Sequence, residues 1–219
     1  MRKKRWATVY IDGFNLYSGI MNKGLSHCRW LDLFSLSQKL IPSEYEFRLV
    51  RFFTSRIKGD PEKHNRQAKY IAALNAYLGK RIDIQFGRFQ LFPSHCKHCG
   101  SKPVYYSSCG KEYSKPNEKK TDVNITTMML MDCFEKHTNC IVLVSGDSDY
   151  ETALVELHRI FPKIERVIAF PPKRRNPRLF NHCEDKFDIL KDALLGSLLP
   201  DPVKNLKTGT LYNMPDSWK

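Results

Sequence analysis

The sequence predicts an α/β domain with a mainly parallel sheet. Three observations carry that reading. Short β-branched and aromatic runs at 6–11, 47–53, 140–144 and 164–170 alternate with stretches of helical apolar spacing. Alternation of this kind builds strand–helix–strand crossovers rather than hairpins. Acidic residues also stand where strands end: Asp12 directly after the first run, Asp147 two small residues after 140–144. Ligands of open parallel sheets bind beyond the carboxyl ends of the strands, so both carboxylates are expected at one edge.

Taken in order, residues 6–11 read as a buried first strand. Asp12-Gly13 ends it, and 14–21 has a helical pattern. Residues 31–40 repeat apolar side chains at helical spacing, with Asp32 as a cap and Pro42 as the stop. A second strand spans 47–53, followed by a basic loop at 54–59. Pro61 opens a long helix with Ala68, Ile71, Leu74 and Leu78 on its apolar face. A third strand covers 82–86, with a continuation through Phe89 and Leu91. Segment 92–117 breaks the rhythm: it is rich in Cys, His, Ser, Lys, Gly and Pro and reads as an insertion.

Regular structure resumes at Lys119, with a helix over 122–134 and a short apolar strand over 140–144. Ser148 and Glu151 form an S-x-x-E capping box that starts a helix over 148–160. The strand 164–170 leads into the basic loop 171–178. A final helix is expected over 189–199. The organisation is therefore one domain over 1–198, interrupted by 92–117, with a Pro-containing tail over 199–219. Asp132, ten residues after Asp122, is expected to face solvent.

The composition sets bounds. A chain of 219 residues, 42% hydrophobic and 12% aromatic, can bury a real core. A net charge of +13 favours a polyanionic partner, because clustered Lys and Arg attract phosphate backbones. The 7 cysteines are odd in number and mostly single, which argues against a secreted disulfide framework and for a reducing compartment. The basic start, Met1-Arg2-Lys3-Lys4-Arg5, is followed by too short an apolar run for a signal peptide. A cytoplasmic, soluble protein with no membrane partner is the expectation. Nothing in the pattern sets an oligomeric state. The G-x-S-x-G elbow and the Walker loop are both missing, against a serine hydrolase or a P-loop NTPase.

Asp12, Asp122, Asp147 and Asp149 are the candidate catalytic carboxylates, with Asp12, Asp122 and Asp147 able to hold a hard divalent cation through oxygen. Asp149 is either a direct ligand, a partner of a ligand, or a residue favoured only by the helix dipole. Asp12 and Asp147 taken singly are also ordinary turn residues. Asn15, one helical turn after Asp12, reaches a phosphate oxygen or a metal-held water, or else satisfies nearby backbone. Lys120, beside Asp122, is placed to neutralise a phosphate in the transition state.

Three segments together resemble the NYN family, a branch of the PIN-like nucleases: Asp12-Gly13-Phe14-Asn15, Lys120-Thr121-Asp122 running into Val123-Asn124-Ile125, and Ser145-Gly146-Asp147-Ser148-Asp149. The resemblance covers about 6–190. It implies a PIN-like three-layer sandwich with helices on both faces of the sheet. It also implies Mg²⁺- or Mn²⁺-dependent ribonuclease activity, with the acidic site at Asp12, Asp122 and Asp147 and with Asn15 and Asp149 in support. The Cys-rich insertion departs from the simplest members.

That insertion carries His95-Cys96-Lys97-His98-Cys99-Gly100, a C-x-x-C knuckle, and Cys109 beyond it. Cys96, Cys99 and Cys109 are three candidate thiolate ligands for a structural Zn²⁺, with His95 or His98 as a fourth; a reduced, metal-free loop is the alternative. Tyr105, Tyr106 and Tyr113 either stack on bases or pack the insertion. Candidate phosphate contacts are Arg56, Lys58, Lys63 and Arg66 near the second strand–helix junction, and Lys173, Arg174, Arg175 and Arg178 after the last strand. Each alone is equally well a solvated charge. RNA is the expected partner. A non-catalytic RNA-binding or scaffold protein of the same fold is the first alternative, and a metal-dependent phosphatase acting on a small molecule the second.

Overall fold

A computed structural model describes residues 4–93, 99 and 114–219. The elements run β1 (Trp6–Asp12), α1 (Gly13–Asn22), α2 (Leu33–Gln38), β2 (Glu46–Thr54), α3 (Pro61–Leu78), β3 (Ile82–Phe86), β4 (Arg88–Pro93), β5 (Ser114–Lys119), α4 (Thr121–Phe134), β6 (Cys140–Val144), α5 (Glu151–Ile160), β7 (Glu165–Phe170), β8 (Asp185–Asp188), α6 (Lys191–Leu195), β9 (Val203–Lys204) and β10 (Leu211–Tyr212). Six strands form one sheet in the order β3-β2-β1-β6-β7-β8, and every neighbouring pair is parallel.

Strand alternation explains the layers. Ala7, Val9 and Ile11 of β1 point into one core with Leu16 and Ile20 of α1, Leu36 of α2 and Leu74 of α3. Tyr10, between them in sequence, points the other way, into a core with Ile125 and Met129 of α4 and Leu154 and Leu157 of α5. Helices therefore cover both faces, which is why the central strands read as unbroken apolar runs. The expected α/β sandwich is the observed one. No helix among the described residues is long and apolar enough to cross a membrane.

Several local expectations need correcting. The third strand does not run on through Phe89 and Leu91: it stops at Phe86, and β4 pairs antiparallel with β5 in a separate ribbon. Gly87 sits at the crossing, where a β-carbon would come within 2.4 Å of Thr121 Oγ1 and 2.6 Å of Ser55 Oγ. The cap of the helix expected from Ser148 is Asp147, whose Oδ1 accepts from Asp149 N at 3.2 Å. Residues 148–150 form a 3-10 turn, and α5 begins only at Glu151. The final helix shrinks to Lys191–Leu195, and the polar edge strand β8 precedes it. Beyond residue 199 the chain packs on the core, with Val203 and Trp218 buried and Trp218 edge-on to Trp30 and Tyr70.

Asp132 is the clearest reversal. It is buried, not solvated, and both carboxylate oxygens are engaged: Arg51 donates to them through Nε and Nη2 at 2.6 Å each, and Tyr10 Oη donates to Oδ2 at 2.5 Å. Arg51 also reaches Asp83 at 2.6 Å, tying β1, β2, β3 and α4 together.

Candidate active site

The sheet order reverses between β1 and β6. From β1 the chain builds outward to β3; from β6 it builds outward to β8. A crevice forms at such a switch point, outside the carboxyl ends of the strands. Asp12 ends β1, and Ser145-Gly146-Asp147 follows β6, which lies beside β1 with Ile11 opposite Val144.

Asp12 is buried and fully engaged. Its Oδ1 caps α1 by accepting from Asn15 N at 3.0 Å, and its Oδ2 accepts from Ser145 Oγ at 3.0 Å and Tyr150 Oη at 3.3 Å. Tyr150 is itself buried, and its hydroxyl lies 3.0 Å from Asp122 Oδ1. One phenol thus connects the carboxylates of β1 and α4. Ser145 Oγ also accepts from Asp147 N at 3.1 Å, which anchors the loop carrying Asp147 and Asp149. Asn15 is spent on backbone: its Oδ1 accepts from Gly146 N at 3.0 Å. Asp149 is exposed at the edge.

The electrostatics follow from burial and like charge. Burial pushes the Asp12 carboxyl up to about 6; the bonds from Asn15 N and Ser145 oppose the rise, and the Asp122 and Asp147 charges add to it. Asp122 is raised by its partial burial, against the Tyr150 bond, with Asp147 and Asp149 raising it further. Burial and the Asp12 and Asp122 charges hold the Tyr150 phenol protonated. The strongly paired arginines are committed elsewhere, Arg51 to Asp83 and Asp132, Arg166 to Glu184. A set of mutually repelling oxygen donors at a crevice has the chemistry of a hard-cation site. As they stand, no three His, Cys, Asp or Glu side chains among the described residues converge as a ready-made cage. Asp147 Oδ1 accepts from Asp149 N at 3.2 Å.

The basic residues divide by what they touch. Lys120 is exposed and takes a left-handed backbone conformation (φ 76°) immediately before α4. The 171–178 loop lies against the acidic loop: Asn176 Nδ2 donates to Gly146 O at 3.0 Å, and a β-carbon on Gly146 would fall 1.7 Å from Arg174 O. Lys173 and Arg178 are exposed there, while Arg174 is half-buried. Arg175 is occupied by Asp188 at 2.9 Å and by the Phe180 ring. Arg56 stacks on Phe86. Lys58, Lys63 and Arg66 border a cavity of about 680 Å³ between α1 and α3, which also takes in Gly13 and Thr54.

Cys96, Cys109, His95, His98, Tyr105, Tyr106 and Tyr113 lie outside the described residues; Cys99 is in an exposed turn. The ribbon of β4 and β5 that flanks the insertion starts at the same edge as the site, since Lys119 O lies 2.8 Å from where a Gly87 β-carbon would stand. Sequence reasoning missed Ser145 and Tyr150. Tyr150 follows Asp147 by three residues, one turn of a 3-10 helix, and that spacing was the available signal.

Comparison with known proteins bears on the family and the fold. The profile of the NYN domain matches residues 7–190. A curated protein of Pseudomonas putida, 6-hydroxy-3-succinoylpyridine 3-monooxygenase, is 25% identical over 194 residues, covering 77% of this chain. The match spans only 60% of that relative's length. A solved structure of a protein of unknown function from Vibrio parahaemolyticus matches with a TM-score of 0.55 at 18% identity, over 91% of this chain and 99% of that one. That likeness is one of fold.

Proposed function

The chain belongs to the NYN domain family, whose members are nuclease-like, and from that premise we propose that it hydrolyses RNA phosphodiester bonds with Mg²⁺ or Mn²⁺. One observation carries the reading: a single buried phenol joins Asp12 to Asp122 at the switch point of the sheet, with Asp147 acting on both electrostatically. Asp12, Asp122 and Asp147 would hold the cation, which supplies an activated water and charge for the leaving oxygen. Tyr150 and Ser145 orient the carboxylates, much as partners of ligands do in metal sites. Asn15 fixes the loop that carries Asp147 and Asp149. Lys120 neutralises phosphate charge, and Lys58, Lys173 and Arg174 hold the strand by its backbone. Arg56, Arg66 and Arg175 contribute less, because each already has an aromatic or acidic partner. A structural Zn²⁺ on Cys96, Cys99 and Cys109 belongs to the same proposal and is tested by metal analysis of the purified protein.

A second reading is favoured by the cavity beside Gly13 together with the Pseudomonas putida relative, whose name states action on a substituted pyridine. It assigns the chain a small aromatic substrate in place of RNA. Purified protein offered end-labelled single-stranded RNA, a nitrophenyl phosphate ester and, in air with a reduced nicotinamide as electron donor, a hydroxypyridine acid, before and after chelation, separates the readings. RNA cleavage lost on chelation and restored by Mn²⁺ supports the nuclease. RNA bound but never cut supports a binding protein. Ester turnover without RNA cleavage supports the phosphatase, and conversion of the pyridine alone supports the relative's chemistry.

A further inference from the structure

The 680 Å³ cavity is not used by the acidic edge, yet it begins one residue from Asp12, at Gly13, and at Thr54, next along β2 from Phe53, which pairs with Asp12. Its size lies in the usual range for small-ligand sites, about 300–1,000 Å³. Its walls are aromatic: Phe14, Tyr17, Phe52, Tyr70 and Trp218 all contribute. Its lining carries four cations, Arg29, Lys58, Lys63 and Arg66; Lys63 is paired with Asp60 at 3.1 Å and Arg66 with Glu62 at 3.2 Å.

The rim of the cavity is fixed in place. Gln67 of α3 accepts from Ile57 N at 2.9 Å and donates to Ser55 O at 2.8 Å, and His64 Nδ1 lies 2.8 Å from Ile57 O. These bonds hold the loop that presents Lys58, and Lys58 forms no ion pair among the described residues.

We propose that this cavity receives one unpaired nucleobase of the nucleic-acid strand beside the cleaved bond, with the adjoining phosphate on Lys58. The inference rests on the nuclease reading and deepens it. A base can enter only if it is unstacked and unpaired, so the substrate is single-stranded. Aromatic walls accept any base by its face.

The test uses the full chain carrying Asp122→Asn, so that RNA is bound without being cut. The cleaved bond is first mapped with the native protein and Mn²⁺. Affinity is then measured for short RNAs with an abasic residue stepped along the strand, for the Asp122→Asn protein and for the same protein with Tyr17→Ala. Tyr17 is 43% exposed, so its truncation spares the fold. An abasic residue beside the cleaved bond should lower affinity about ten-fold, Tyr17→Ala should lower it for intact RNA, and the two losses should not add. Lys163→Ala, exposed between α5 and β7 at the amino end of the sheet, should change nothing. Equal affinity wherever the abasic residue stands, with cleavage by the native protein intact, overturns the base pocket and leaves the nuclease standing. No cleavage and no RNA binding overturns both.

Discussion

Tyr150 Oη lies 3.0 Å from Asp122 Oδ1, and the same hydroxyl is 3.3 Å from Asp12 Oδ2. A single O–H is thus shared between two carboxylates carried by different elements, and its ring is packed in the core under α4 and α5. Tyr150→Phe keeps the ring and removes the link. We expect metal-dependent RNA cleavage to fall about 10- to 100-fold, with weaker Mn²⁺ dependence of the rate. The fold should persist, since a lost hydrogen bond costs about 1 kcal/mol. Rate against Mn²⁺ concentration, alongside thermal unfolding, checks both halves.

Asp12 makes stability depend on pH. Its carboxyl is raised to about 6 in the fold from an ordinary value of 3.8 in the open chain. Between those values the folded state binds the extra proton, so this group's contribution to stability is present below about 4 and is lost as pH rises through about 6. In metal-free protein, Asp12→Asn should therefore raise stability at pH 7.5 by on the order of 1–3 kcal/mol. The gain should vanish near pH 3.5. Chemical denaturation at the two pH values, in chelator, reads this directly. A cation held by Asp12 would compete with that proton, so apparent Mn²⁺ affinity should weaken as pH falls below about 6.

Asp132 should matter for the fold and not for the chemistry. Asp132→Ala leaves Arg51 without its buried carboxylate and Tyr10 without an acceptor, which should cost about 3–5 kcal/mol. Asp132→Asn should cost less. Cleavage per folded molecule should be unchanged in the Asn variant, measured by active-site titration against Mn²⁺.

Gly146→Ala should damage the site through the neighbouring loop. The added carbon would meet Arg174 O, a backbone atom that cannot swing aside, and the Asn176–Gly146 bond would open. We expect a loss of about 1–3 kcal/mol in stability and weaker RNA binding, measured by thermal unfolding and by fluorescence anisotropy.

The parts legible in the sequence were those with a local signature. Buried strands announce themselves as apolar β-branched runs, and β6 came out residue for residue as Cys140–Val144. The carboxylates were legible because they stand at strand ends. Asp132 was misread although its phase was available: it follows Ile125 by seven and Met129 by three, on the buried stripe of α4. Charge outweighed periodicity in that reading. β5, Ser-Lys-Pro-Asn-Glu-Lys, has no apolar alternation in its sequence, and the polar β8 had no signature because an edge strand buries little. Ser145 and Tyr150 act across strands, so their roles emerge only once β6 is seen beside β1. Trp218 likewise depends on a docking partner 148 residues away, Tyr70.

One metal-dependent hydrolytic site for RNA at Asp12, Asp122 and Asp147 makes cleavage conditional on each carboxylate. End-labelled single-stranded RNA in Mn²⁺ is offered to the native chain, Asp122→Asn and Asp147→Asn. Cleavage by the native chain, abolished by chelator, is expected, with a loss of at least 100-fold in each variant while both stay folded. Undiminished cleavage by either folded variant, or none by the metal-loaded native chain, would contradict it.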